Sequence, residues 1–268
     1  MRYGILSDIH GNVHALRAVL RSIEQDGVDQ FLCLGDLVGY GPYPNECVDI
    51  VAGLGAACVA GNHDLIAVGA LTDERCGPLA RAQTGWTRDA LTDGTRRYLA
   101  ELPGRARVGD VVLAHGSPDD PERYVTYPDL ANRVLDRLAD EESGYRVLAL
   151  GHTHHPWAYG RDTGTQHRGR RPGSVRLDPG QRYLVNPGSV GQSRDRSVAA
   201  RYLVLDLGRR QAHFRAVPYD VRGHVQALVR AGLPARSHHL PTTMAEHAER
   251  ALKKVTRRAT AVRRMLRG

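Results

Sequence analysis

Six short apolar runs, each cut off by polar residues of a particular kind, restrict the folds open to this chain. Tyr3–Leu6 leads into Ser7, Asp8, Ile9 and His10; Phe31–Leu34 into Gly35 and Asp36; Ala57–Ala60 into Gly61, Asn62, His63 and Asp64. Val111–Ala114 leads into His115 and Gly116, Val147–Leu150 into Gly151, His152, Thr153 and His154, and Tyr183–Val185 into Asn186, Pro187 and Gly188. Runs this short and this rich in Val, Leu and Ile read as strands buried on both faces. Helical periodicity fills the gaps. Val13, Leu16, Val19, Leu20 and Ile23 fall on one stripe of a helix over 13–24. Val48, Val51 and Leu54 do the same over 45–54, and 84–101 and 130–140 are further helical patterns. Near the end, ARYLVLDLG and QAHFRAVPY alternate around a Gly-Arg-Arg turn, as an antiparallel hairpin does. Early strand–helix repeats with a late antiparallel part predict an α+β domain, α/β in its first half, with mixed sheets that stack.

The ends of neighbouring strands converge on one crevice, and side chains there are held on rigid elements. This chain puts metal-ligating residue types at five strand ends: Asp8 with His10, Asp36, Asn62, His115, and His152 with His154, while His63 adjoins Asn62. A lone aspartate after a strand is no more than a helix cap, but five such ends are not explained by capping. The set is carboxylate, imidazole and amide with no thiolate, which suits manganese first, with iron, zinc, nickel or cobalt as alternatives. Seven ligands exceed what one ion needs if it is also to hold substrate. They suit two divalent ions sharing a bridging carboxylate, the arrangement that drives phosphoryl transfer: a shared water loses its proton and attacks phosphorus, and a nearby imidazolium protonates the departing group.

Taken in order, Asp8-Ile9-His10, Gly35-Asp36, Gly61-Asn62-His63-Asp64, His115-Gly116 and Gly151-His152-Thr153-His154 resemble the calcineurin-like metallophosphoesterase superfamily. NPGSVGQ, residues 186–192, is similar to its small bacterial and archaeal phosphodiesterase-like subfamily. The resemblance implies a four-layer αββα sandwich of two mixed β-sheets flanked by helices. It implies that Asp8, His10 and His154 hold one ion, that Asn62, His115 and His152 hold the other, and that Asp36 bridges them. His63 would be the general acid in hydrolysis of a phosphodiester or phosphomonoester; His155 receives no role. The chain departs from the GDxVDRG of the protein phosphatase branch, having Gly39 and Tyr40 in the stretch GDLVGYG. That departure speaks against a phosphoprotein or symmetrical dinucleoside tetraphosphate substrate, and leaves Asp64 or a water to support His63. In the loop GYGPYPNE, Tyr40, Tyr43 and Asn45 are candidate contacts for a leaving group, against the plainer reading of a turn with packed tyrosines. Asn12 is a candidate phosphate contact, against the reading of a helix cap.

The net charge of +8 is unevenly spread: from Val221 to Gly268, eleven basic residues accompany two acids, Glu246 and Glu249, so the whole excess lies there. The expected organisation is a metallophosphoesterase domain over 1–220 and a basic helical extension over 221–268, with Thr243 and Glu246 forming a capping box. Such a helix either docks by its apolar stripe or recruits nucleic acid, which makes a nuclease the alternative to an enzyme acting on a small phosphate ester. A non-catalytic metal-binding scaffold is the remaining reading; oligomeric state is left open. No run approaches the roughly 20 apolar residues of a membrane span. The four cysteines form no CxxC pair, as expected of reduced thiols in a cytoplasmic protein. Residues 160–181, rich in Gly, Arg, Pro, Asp and Thr, read as a flexible loop or irregular hairpin near the histidine loop.

Overall fold

The computed structural model describes residues 1–194 and 197–234. Its first half alternates strand and helix: β1 (Arg2–Leu6), α1 (Val13–Asp26), β2 (Gln30–Cys33), α2 (Pro44–Gly53), β3 (Ala57–Cys58). Then come three helices, α3 (Asn62–Ala67), α4 (Pro78–Ala90) and α5 (Asp93–Glu101), and the elements β4 (Arg105–Val108), β5 (Val111–Ala114), α6 (Pro128–Glu141) and β6 (Val147–Ala149). The remainder is β7 (Trp157–Gly160), β8 (Gly164–Arg168), β9 (Gly173–Arg176), β10 (Tyr183–Asn186), β11 (Ala200–Asp206), β12 (Gln211–Val217) and α7 (Val221–Arg230).

The strands form two six-stranded sheets, ordered β3-β2-β1-β11-β12-β9 and β4-β5-β6-β10-β7-β8. Both are mixed. β1, β2 and β3 are parallel, β11 is antiparallel to β1, and β12 is antiparallel to β11. β5, β6 and β10 are parallel, with antiparallel partners β4 and β7 outside. Period-two alternation makes the layers. Tyr3 and Ile5 of β1 point into the space between the sheets, where they meet Val111, Leu113, Val147 and Val185. Leu6 points the other way, onto Leu16 and Val19 of α1 and Val48 and Val51 of α2. On the far side, Val112, Leu148 and Leu184 pack against Leu130, Leu135 and Leu138 of α6. Helix, sheet, sheet, helix is the expected four-layer sandwich.

Two sequence expectations need correction. The single helix over 84–101 is two helices: Leu91 is extended (ψ 132), and Thr92 caps α5 by accepting from Thr95 N. For 160–181 the loose-loop alternative fails, while the irregular-hairpin alternative holds in part: β8 returns antiparallel along β7 with a register shift. β8 pairs with β7 in one sheet and β9 with β12 in the other, so the chain crosses between sheets here. Both are outer strands whose side chains are mostly exposed, and the Gly- and Arg-rich composition reflects that exposure. α7 starts at Val221, the position where the sequence predicts the extension to begin, and it buries His224, Ala227 and Leu228. The capping box at Thr243 and the basic helix after it lie outside the described residues.

The end of α1 is fastened to the antiparallel half of its sheet. Arg215 donates to both Asp26 oxygens (2.9 and 3.3 Å), and the Tyr202 hydroxyl donates to Oδ2 (2.7 Å). Burial alone would raise the Asp26 pKa; Arg215 and Tyr202 outweigh it and hold the carboxyl low. A lowered folded-state pKa stabilises the fold above the ordinary carboxylate value of about 3.9, and that contribution vanishes as pH falls through the folded value. Asp26→Asn should therefore cost about 1 kcal/mol in urea denaturation at neutral pH, and the gap to wild type should close in acid.

Candidate metal centre

The loops after β1, β2, β3, β5 and β6 meet at one end of the sheets, and the candidate ligands sit on them. Two groups of ligand atoms form, each within 4.8 Å: Asp8, His10, Asp36 and His154, and then Asp36, His115 and His152. All are buried. Asp36 is common to both. Its Oδ2 lies 3.6 Å from His10 Nε2 and 3.2 Å from His115 Nε2, while Oδ1 accepts from the His63 backbone N–H at 2.9 Å. One carboxylate oxygen thus stands between the two groups. Asp8 Oδ1 lies 3.2 Å from His154 Nε2 and accepts from His152 N, and Ser7 donates to Oδ2.

Backbone carbonyls set the histidines. Nδ1 of His10 is 3.1 Å from Val38 O, Nδ1 of His115 is 2.6 Å from Leu34 O, and Nδ1 of His154 bonds Gln192 O. A carbonyl only accepts, so each Nδ1 carries the proton and each Nε2 offers its lone pair to the centre. His152 is reversed: Nε2 meets Glu122 O at 3.0 Å, which leaves Nδ1 as its candidate ligand atom. Two buried atoms in the centre lack a hydrogen-bond partner, Asn62 Oδ1 and His115 Nε2. A buried acceptor without a donor is costly unless a cation satisfies it, so the donor set fits a divalent metal.

The backbone here is strained. Among the described residues, seven other than glycine have left-handed φ, and six belong to this site: Asp8, His10, Asp36, Tyr40, His152 and His154, with φ between 50 and 63°. Each costs of order 1–3 kcal/mol and persists because surrounding bonds impose it. The NPGSVGQ loop supplies several. Asn186 Nδ2 donates to Gly151 O and Thr153 Oγ1, Ser189 Oγ donates to Asp8 O, and Gly191 N donates to the same carbonyl. Close approach explains two glycines. A Cβ at Gly61 would lie 2.1 Å from Asp36 Oδ1, and one at Gly151 would lie 2.1 Å from Ser7 Oγ.

The electrostatics are those of a cation site. Burial opposes charge on Asp8 and Asp36, yet the neighbouring histidines hold both carboxyls low, with His154 acting first on Asp8 and His115 first on Asp36. Burial pushes His152 down to about 3 and lowers His10. Burial also opposes charge on His115, but Asp36 and Asp8 outweigh it and push that imidazole up to about 10. Without a metal, a second proton on Nε2 answers the same negative charge; a bound metal would displace that proton and take the Nε2 lone pair.

His63 sits on α3, its ring 5.1 Å from that of His10 and 4.7 Å from that of Tyr40. Asp64 does not support it. Asp64 Oδ1 accepts from Leu37 N and Val38 N, and Oδ2 from Gly61 N, so this carboxylate holds the loop that carries Asp36. Gly39 makes room for His63: a Cβ there would be 2.8 Å from its Nδ1.

A cavity of about 290 Å³ opens over the centre, with Asp36, Asn62, His63 and His152 in its lining. Of the four candidate substrate contacts, Tyr40 alone lines it. Asn12 Oδ1 caps α1 by accepting from Ala15 N, and Nδ2 donates to Gly191 O. Tyr43 packs against the α1–α2 side of the core and meets His14. Asn45 donates to Ala90 O and accepts from Thr92 N, pinning the break between α4 and α5. Asn45→Ala should lower stability by about 1–2 kcal/mol in chemical denaturation without altering metal content. Sequence reading missed Arg75, Cys76, Glu122, Tyr124 and Arg194, which complete the lining together with Gly77 and Ala80. Arg194 follows NPGSVGQ by two residues, which was the only signal available for it.

Comparison with known proteins agrees with this geometry. Residues 1–210 match the calcineurin-like phosphoesterase superfamily domain. An uncharacterized protein of Methanocaldococcus jannaschii, MJ0912, is 31% identical over 235 residues, 86% of this chain and 93% of that one. The crystal structure of a metallophosphoesterase from Sphaerobacter thermophilus superposes with a TM-score of 0.76 at 34% identity, covering 87% of this chain and 95% of the other. The hypothetical protein PH1004 from Pyrococcus horikoshii has the same fold, with a TM-score of 0.71 at 20% identity over 87% and 94% of the two chains. No helix of the described residues is long and apolar enough to cross a membrane. By its family match, its relatives and its Asp/His metal-binding groups, the chain belongs to the calcineurin-like phosphoesterase superfamily.

Proposed function

We propose that the chain hydrolyses a small phosphate ester with two divalent ions bound per molecule. Asp8, His10 and His154 would hold one ion and Asn62, His115 and His152 the other, with Asp36 serving both. The observation that carries this reading is the placement of Asp36 Oδ2 between two separate ligand groups. When bound, such ions polarise phosphate oxygens and make a water more acidic. The protein's own part is to fix ligand directions through Val38, Leu34, Gln192 and Glu122 carbonyls, so that little reorganisation is needed on binding.

His63 would supply the proton to the departing group. Its ring lies in the cavity lining, and its backbone N–H is tied to Asp36. Burial lowers its pKa, while the nearby Asp36 carboxylate favours the protonated form. In that form it donates from its ring to the oxygen of the departing group. The cavity, near the lower limit of ordinary ligand pockets at roughly 300 Å³, favours a compact ester over a polymer.

The test is hydrolysis of p-nitrophenyl phosphate and bis-p-nitrophenyl phosphate after loading with Mn²⁺ or Ni²⁺. Chelation should lower turnover at least about 100-fold, with recovery on adding Mn²⁺, and should also lower the melting temperature, since binding to the folded state alone stabilises it. Absence of hydrolysis with every divalent ion would overturn the proposal.

A further inference from the structure

We infer that Arg194, oriented by Tyr124, binds the phosphoryl oxygens of the ester; this rests on the hydrolase reading above. Two arginines border the cavity. Arg75 is largely exposed and engaged by carboxylates, 3.1 Å from Glu122 and 3.6 Å from Asp120. Arg194 differs. It is half-buried, and among the described residues no carboxylate pairs with it. Its Nη1 donates to the Tyr124 hydroxyl at 3.1 Å, and its Nε is buried without a hydrogen-bond partner. The Tyr124 ring in turn lies on His152, with centroids 4.0 Å apart. One contact chain therefore runs from the metal centre through Tyr124 to the guanidinium.

Arg194 lines the same cavity as Asp36, His63 and His152, so its charge faces the space an ester would occupy. A partly desolvated guanidinium with an unused donor is stabilised by an anion arriving in the cavity, and planar arginine forks suit phosphate oxygens. Tyr40, whose ring packs on His63, brings no charge to this task. Arg194 is thus the side chain that contacts substrate; Tyr124 is a positioning residue, fixing the plane of the fork.

The probe is inorganic phosphate, titrated calorimetrically into the Mn²⁺-loaded full chain, with metal content measured on the same samples. Arg194→Ala should weaken phosphate binding roughly 10- to 100-fold at unchanged metal content. Arg194→Lys should recover part of the loss, because it restores charge without the fork. Tyr124→Phe should weaken binding by roughly 3- to 10-fold, and should raise KM for p-nitrophenyl phosphate more than it lowers kcat. If Arg194→Ala misfolds, the Lys and Phe variants decide, and wild-type affinity in both overturns the inference. Failure of the wild type to bind phosphate overturns it as well. Because the readout is heat of binding, an inactive wild type would sink the hydrolase reading while leaving Arg194 testable.

Discussion

Asp36→Asn should lower kcat/KM by roughly 10²–10⁴-fold with little change in fold. The substitution is close to isosteric, and an amide oxygen still accepts the His63 N–H that Asp36 Oδ1 now accepts. What it removes is charge at the oxygen lying 3.6 Å from His10 Nε2 and 3.2 Å from His115 Nε2. The carboxylate serves both ligand groups, so its loss weakens both, whereas Asp8 has its main histidine contact with His154. Asp8→Asn should therefore be the milder change in metal affinity. Circular dichroism and metal content on the same preparations separate loss of metal from loss of structure. An Asp36→Asn protein that keeps wild-type kcat/KM would mean that the shared position has no part in the reaction.

His63→Gln should discriminate between leaving groups. A p-nitrophenolate departs as a stable anion and needs no proton; an alkoxide does. Hydrolysis of an alkyl phosphate should fall roughly 10²–10⁴-fold, while the nitrophenyl ester should lose less than about tenfold. The residue is suited to this measurement because its side chain lies in the cavity lining and does not belong to either ligand group. Equal losses on both esters would assign His63 to holding phosphate or shaping the site. Asp64 would not account for such a result, since its oxygens are committed to Leu37, Val38 and Gly61.

Much of this arrangement was legible before any coordinates, for a physical reason. Strands buried on both faces are continuous apolar runs, so a histidine or aspartate that ends one stands out, and parallel strands bring such ends together. Asp8, Asp36, His115 and His152 were readable on that logic alone. The late hairpin was readable from its alternation, and β11 and β12 pair from Ala200–Val217 to Asp206–Gln211. Other features leave little trace. The break at Leu91 and Thr92 has no proline to announce it, and Gly94 falls inside α5, past the cap; Asn45, 47 positions from Thr92, grips the chain there. β8 and β9 carry outer-strand side chains that face water, so their composition resembles that of a loop. The carbonyl of Glu122 that sets His152 is backbone, and any residue supplies one. Arg194 and Tyr124 are 70 positions apart and meet only because the sheets bring their loops to the same cavity. Asn12, Tyr43 and Asn45 looked like substrate contacts because they neighbour the motifs, but their polar groups or rings are engaged within the scaffold.

The number of metal ions held by the chain decides whether the two ligand groups are two sites. The purified protein, stripped, saturated with Mn²⁺ and passed free of excess metal, can be assayed by elemental mass spectrometry. Wild type should carry two ions per chain, and His115→Ala should carry one, because that change leaves the group of Asp8, His10, Asp36 and His154 intact. Saturation of the wild type at a single ion, or two ions retained in His115→Ala, would contradict a paired centre built around Asp36.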